Sequence, residues 1–121
     1  MFTETAGKID EMRALLAKVA KLLDLPKLRK EVEAREAEAG EPSFWADSVK
    51  AKKKSKELND LKKTLAEYDK ALTTLDDLHA HCELASEIKD EGEIKEVSKG
   101  ILEAEKLLRA MDMRKALRRV R

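Results

Sequence analysis

Aromatic side chains are scarce in this chain: of 121 residues only 3% are Phe, Trp or Tyr, and Trp45 is the single tryptophan. Four glycines and two prolines leave few places for the chain to turn sharply, and no segment reads as a strand. Cys82 is the only cysteine, which excludes an intrachain disulfide and fits a reducing compartment. No apolar run approaches the roughly 20 residues of a membrane-spanning helix, and the N-terminus lacks the apolar centre of a signal peptide. The expectation is therefore a soluble, cytoplasmic chain with no membrane partner. Neither a Ser-His-Asp set nor a glycine-rich phosphate loop is present, and the acidic residues are spaced as solvent-facing charge. The sequence thus predicts no enzyme, no cofactor and no small-molecule substrate.

What the chain has in abundance is charge. Asp, Glu, Lys and Arg make up 42% of it, against about 25% in ordinary globular chains. The formal net charge is only +1, yet its distribution is uneven: Glu31, Glu33, Glu36, Glu38, Glu41 and Asp47 precede the run Lys50, Lys52, Lys53, Lys54 and Lys56. Such a composition supports thin apolar seams between helices in place of a broad interior. The seams are visible as steps of three and four: Ile9, Met12, Leu16, Val19 and Leu23; then Leu25, Leu28 and Val32; then Ile94, Val97, Ile101, Ala104, Leu108 and Met111. The longest stripe runs Leu58, Leu61, Leu65, Tyr68, Leu72, Leu75, Leu78, Cys82, Ala85 and Ile88 without a Gly or Pro. These stripes predict an all-α chain of four helices, at about 5–23, 25–39, 48–89 and 93–118, in one domain spanning 1–121. The architecture expected is an elongated, antiparallel (up-and-down), coiled-coil-like helical bundle whose longest helix overhangs its partners. Thr3 or Thr5, Asp24, and Asp47 or Ser48 are the expected helix caps, Gly40 a left-handed stop, and Asp90-Glu91-Gly92 the last reversal.

Between the second and third helices lies "GEPSFWADSVKAKKKSK". Phe44 and Trp45 follow a helix stop and precede a cap, so they form a joint. Two readings compete: a plug that closes one end of the bundle, or an exposed docking or base-stacking site. The isolation of the pair from other aromatics favours the plug, for which truncating Trp45 would cost about 3–5 kcal/mol. The lysines oppose the dipole of the helix they open. Either the acidic helix before them or an external anion must offset that charge. Together with Arg118, Arg119 and Arg121 of the basic tail, Lys50, Lys52, Lys53, Lys54 and Lys56 are the candidate RNA or ribosome contacts. His79, His81, Cys82 and Glu83 do not share one helical face, and no further His or Cys could complete a metal site.

The order of these pieces resembles the N-terminal domain of bacterial class I peptide chain release factors, closest to the release factor 2 branch. That family places a Glu-rich helix, a Pro/Asp-Phe-Trp-type element, an acidic or polar cap and a helix opening with basic residues in succession. Glu36, Glu38, Pro42, Phe44, Trp45, Asp47, Lys53 and Lys56 stand at corresponding places, and the likeness covers roughly residues 9 to 117. The resemblance implies a role in translation termination through ribosome or factor contacts, with the large-subunit stalk-base region as partner. Full-length members continue into a domain that reads stop codons and another bearing a Gly-Gly-Gln motif for peptidyl-tRNA hydrolysis. Neither motif is found here, and "PSF" at Pro42 to Phe44 is not the family's Ser-Pro-Phe tripeptide. The expectation is a truncated relative, an excised domain or a stand-alone copy, non-catalytic in each case. The alternative is a coiled-coil-like structural or self-association module.

Overall fold

A computed structural model describes residues 2–120, with side chains described for 2–113. Four helices account for almost all of it: α1 (Phe2–Leu23), α2 (Leu25–Ala39), α3 (Ser48–Ile88) and α4 (Glu91–Val120), with a 3₁₀ turn at Pro42–Ala46 between α2 and α3. No strand occurs among the described residues. At about 1.5 Å per residue, the 41 residues of α3 extend for roughly 60 Å, so the bundle is elongated.

Cross-helix partners give the directions. As the α2 residue advances from Arg29 through Arg35 to Glu38, its α3 partner retreats from Asp69 through Glu57 to Lys54, so the pair is antiparallel. Arg13 meets Asp76 of α3, and Lys18 meets Asp112 of α4. With α3 reversing into α4 through a tight turn, α1 and α2 run one way, α3 returns, and α4 runs with α1. The expected overhang is therefore only partial. Past the end of α1, α2 continues along the N-terminal half of α3 and covers it on one side.

The core lies where three helices meet. Ile9, Met12 and Leu16 of α1, Ala71, Leu75, Cys82 and Ala85 of α3, and Ile94, Val97, Ile101, Ala104 and Leu108 of α4 form one buried cluster. Burial of each large aliphatic side chain there contributes about 1.5–3 kcal/mol relative to exposure. The stripes on α1 and α4 are buried at the expected positions, apart from Leu23, which is half-buried at the end of α1. On α3 the stripe differs, because that helix is clasped from two sides: Ala71 is buried in place of Leu72, and Ile88 lies beyond its partners, 68% exposed. A straight helix also drifts against a fixed heptad, which shifts the buried face over several turns.

The helix ends differ from expectation in instructive ways. α1 starts at Phe2, ahead of Thr3 and Thr5, and Thr5 is buried inside it. Asp24 marks the α1–α2 break by its backbone, which is left-handed at φ 53°, while its side chain caps nothing. Gly40 stays right-handed at φ −80°, and its N–H donates back to carbonyls of the last turn of α2. The left-handed stop falls instead on Lys89, φ 54°, where the Asp90 N–H closes onto the Ala85 carbonyl at 3.0 Å. Asp90 then opens α4, its Oδ1 accepting from the Glu93 N–H at 3.1 Å, and Gly92 sits inside the helix.

Two stability measurements follow. In urea denaturation, Leu75→Ala should lower stability by about 2–5 kcal/mol, whereas Leu84→Ala, at a 62%-exposed site, should change it by about 0.5 kcal/mol or less. Lys89→Gly relieves a left-handed backbone that costs an L-residue about 1–2 kcal/mol. After the greater chain entropy of glycine, a gain of about 0.5–1 kcal/mol should remain.

Candidate functional site

α2 and α3 exchange ion pairs in both directions along the side they share: two arginines of α2 meet carboxylates of α3, and two lysines of α3 meet carboxylates of α2. Arg29 donates to Asp69 at 2.9 Å and Arg35 to Glu57 at 2.9 Å, with Glu31 bracing Arg35 from one turn back. Lys62 pairs with Glu36 at 3.1 Å, and Lys54 pairs with Glu38. Hydrogen bonding to Asp69 and to Glu57 holds the Arg29 and Arg35 guanidiniums above their usual pKa, so both stay charged. All these groups are partly exposed, and each such pair is worth little on its own. Their joint effect is to fix the register of a two-helix arm to which α2 contributes only Leu28 and Val32 as buried side chains.

The joint is then built from short-range constraints. Pro42 opens the 3₁₀ turn, and Asp47 closes it by capping α3, its Oδ1 accepting from the Val49 and Lys50 N–H groups at 3.2 Å each. The cap partly offsets the dipole that the following lysines oppose. Phe44 and Trp45 meet edge to face, with ring centroids 4.9 Å apart and planes at 78°. Phe44 is half-buried and lines a small cleft of about 350 Å³ with Glu38, Asp47 and Lys54. Trp45 points the other way. Its Nε1–H donates to the Ala39 carbonyl at 3.1 Å, and the residue is 60% exposed. The expected plug is thus corrected: among the described residues only α2 and α3 pack against this turn, and they leave the indole exposed.

On the Trp45 side an open groove of about 970 Å³ is lined by Trp45, Val49, Lys52, Lys53, Lys56 and Asp60, among others. Val49 is 78% exposed. Lys52, Lys53 and Lys56 form no ion pair among the described residues, in contrast to Lys54. The five sequence-predicted lysines therefore separate. Lys52, Lys53 and Lys56 gather beside the indole, Lys54 is taken up by Glu38, and Lys50 lines the opposite cleft with Phe44. The side chains of Arg118 and Arg119, and the whole of Arg121, lie outside the described residues. Sequence reasoning missed Val49 and the Ala39 carbonyl. An apolar residue opening a lysine-rich turn was the signal for the first; nothing in the sequence marks the second.

The histidines stay apart. His79 Nε2 contacts Glu83 Oε1 at 3.0 Å, His81 Nε2 contacts Glu93 Oε2 at 2.6 Å, and Cys82 is buried in the core. No group of three potential ligands able to hold a metal ion occurs among the described residues. No described helix is long and apolar enough to cross a membrane.

Iodide quenching reads the joint directly. Trp45 should be quenched readily, and Trp45→Ala should lower stability by only about 1 kcal/mol, the scale of the single hydrogen bond it loses. A shielded indole, or a loss near the 3–5 kcal/mol of a buried aromatic, would place Trp45 inside after all.

Comparison with known proteins places this geometry. Peptide chain release factor 2 of Pseudothermotoga lettingae is 33% identical over 84 residues, 69% of this chain and 23% of that protein. Release factor 2 of Chlamydia pneumoniae is 29% identical over 111 residues, 91% of this chain and 30% of its own length. That of Mycolicibacterium smegmatis is 29% identical over 117 residues, 97% and 32% respectively. The chain spans less than a third of the length of these curated relatives. No solved structure matches it. The family model of the PCRF domain matches residues 28–119, which take in nearly all of the α2–α3 arm, the Phe44–Trp45 joint and the lysine face. The chain belongs to the PCRF domain family.

Proposed function

We propose that this chain works in translation termination as a non-catalytic, cytoplasmic helical module that contacts the ribosome, at the stalk-base region of the large subunit, through its α2–α3 arm. The observation that carries the reading is the outer face of the arm, where Lys52, Lys53 and Lys56 remain unpaired beside an exposed indole within the family-matched region. Three cations gathered on one face beside the indole, none of them in an ion pair among the described residues, favour an anionic partner, and ribosomal RNA is the densest polyanion available to a translation factor. The release factor 2 relatives supply the context, and the family resemblance in the sequence supplies the non-catalytic role.

A second reading, self-association, draws on Leu84 and Ile88. These lie one turn apart on α3 and are 62% and 68% exposed. Sedimentation equilibrium separates the two: a strict monomer at high concentration removes the second reading and leaves the first.

Cosedimentation with large ribosomal subunits tests the main proposal. The wild-type chain should pellet with them at moderate salt. Lys52→Gln, Lys53→Gln and Lys56→Gln combined should weaken binding and flatten its dependence on salt, by about one unit of log–log slope for each phosphate no longer neutralised. Absence of binding even at low salt would sink it.

A further inference from the structure

The indole of Trp45 is held on two sides yet offered on a third. Its N–H is satisfied by the carbonyl of Ala39, the last residue of α2, and its flank rests against the Phe44 ring. With its polar edge bonded inward and the residue still 60% exposed, the ring offers apolar surface to solvent. Along the same groove, Lys52, Lys53 and Lys56 cover about one turn of α3, a rise of roughly 6 Å. Asp60, one turn of α3 beyond Lys56, also lines the groove.

A flat, pinned aromatic surface fits a planar ring, and a short row of ammonium groups fits successive anions. A nucleotide carries both in one repeat. An acidic peptide would answer the lysines, but it offers a ring only where an aromatic side chain falls beside its carboxylates, whereas every nucleotide carries one. A duplex keeps its bases inside its own stack, so only an unpaired base can reach Trp45. We propose that Trp45, with Lys52, Lys53 and Lys56, is a binding site for an unpaired RNA nucleotide, its base stacked on the indole and its neighbouring phosphates held by the lysines. This rests on the ribosome-contact reading above and names the chemical feature of the RNA that the arm takes.

Because Trp45 is the only tryptophan, its fluorescence reports the site directly. A ten-nucleotide single-stranded RNA titrated into the full chain at low salt should quench it saturably, in step with the anisotropy of a labelled copy of the same strand. Three lysine–phosphate contacts should give a log–log salt slope near about −2 for a single strand. Trp45→Ala should weaken binding about tenfold while leaving that slope unchanged, and Trp45→Phe should restore part of the loss. Replacing the three lysines with Gln should flatten the slope. Binding that leaves Trp45 fluorescence untouched, or Trp45→Ala binding as tightly as the wild type, would overturn the stacking site. So would poly-glutamate binding as tightly as the RNA, since the face would then be a general anion patch for acidic proteins. Ribosome cosedimentation is scored separately. If it persists while the oligonucleotide fails to quench, the nucleotide site falls and the ribosome contact stands. If quenching behaves as expected and cosedimentation fails, the nucleotide site is supported and the ribosome reading falls.

Discussion

The seam along the C-terminal half of α3 holds this molecule together, because it is the one surface that both α1 and α4 share. A helix of 41 residues this rich in charge has little to gain from its own backbone beyond propensity, and tertiary packing must supply the rest. Here the packing is supplied by alternating sizes. Ala71, Cys82 and Ala85 are small enough to let two helices approach at once, while Leu75 fills the space between them and is fully buried. The same closeness appears at Gly100 of α4, where an added Cβ would come within 2.6 Å of a Leu78 methyl carbon. Fixing this half of α3 fixes the direction of the other half, which leaves the three-helix core as an arm with α2 packed along it.

The physics of the arm is different. Leu28 and Val32 are the only residues α2 buries, so the arm has far less apolar area to hold it than the core. Specificity comes from charge. Arg29, Arg35, Glu36 and Glu38 each find a partner on α3, and these solvated pairs set register more than they add stability. A region held by few apolar contacts and many exposed ion pairs opens more easily than a packed core, and its opening responds to salt. The pairing also has a consequence for the outer face. By drawing Lys54 and Lys62 inward, α2 divides the lysine run into cations it uses and cations it leaves. Of those it leaves, Lys50 lines the Phe44 cleft and Lys52, Lys53 and Lys56 share the outer face, a division the sequence alone could not make because all five lie within two turns.

Much of the fold was legible because helices packed on one side carry their burial in their spacing. Every stripe residue of α4 from Ile94 to Met111 is buried, since that helix turns one continuous stripe to both α1 and α3. α3 was less legible for the opposite reason: with partners on two sides, a buried Ala71 and an exposed Leu72 reverse the order that hydrophobicity suggests. Backbone stops were misread where side-chain habit and tertiary need diverge. Gly40 had freedom it did not use, while Lys89 was driven left-handed by the Ala85 carbonyl closing the end of α3. The joint was located correctly by Gly40, Pro42 and Asp47, but its burial was not. Whether an indole is covered depends on how many helices reach its end of the bundle, and no local pattern states that number.

The exposure of Trp45 also bears on how such a joint could serve a partner. An indole free to rotate would lose conformational entropy on each encounter, and affinity would fall accordingly. Here that cost is largely met in the fold. The Ala39 carbonyl anchors the polar edge, the Phe44 ring blocks the flank, and the Asp47 cap fixes where α3 starts relative to both. The same three contacts tie the orientation of the ring to the end of α2 and the beginning of α3 at once. Anything that shifts α2 along α3 by a turn would therefore swing the indole away from Lys52, Lys53 and Lys56, and the ion pairs that hold the register between the two helices also hold the face together.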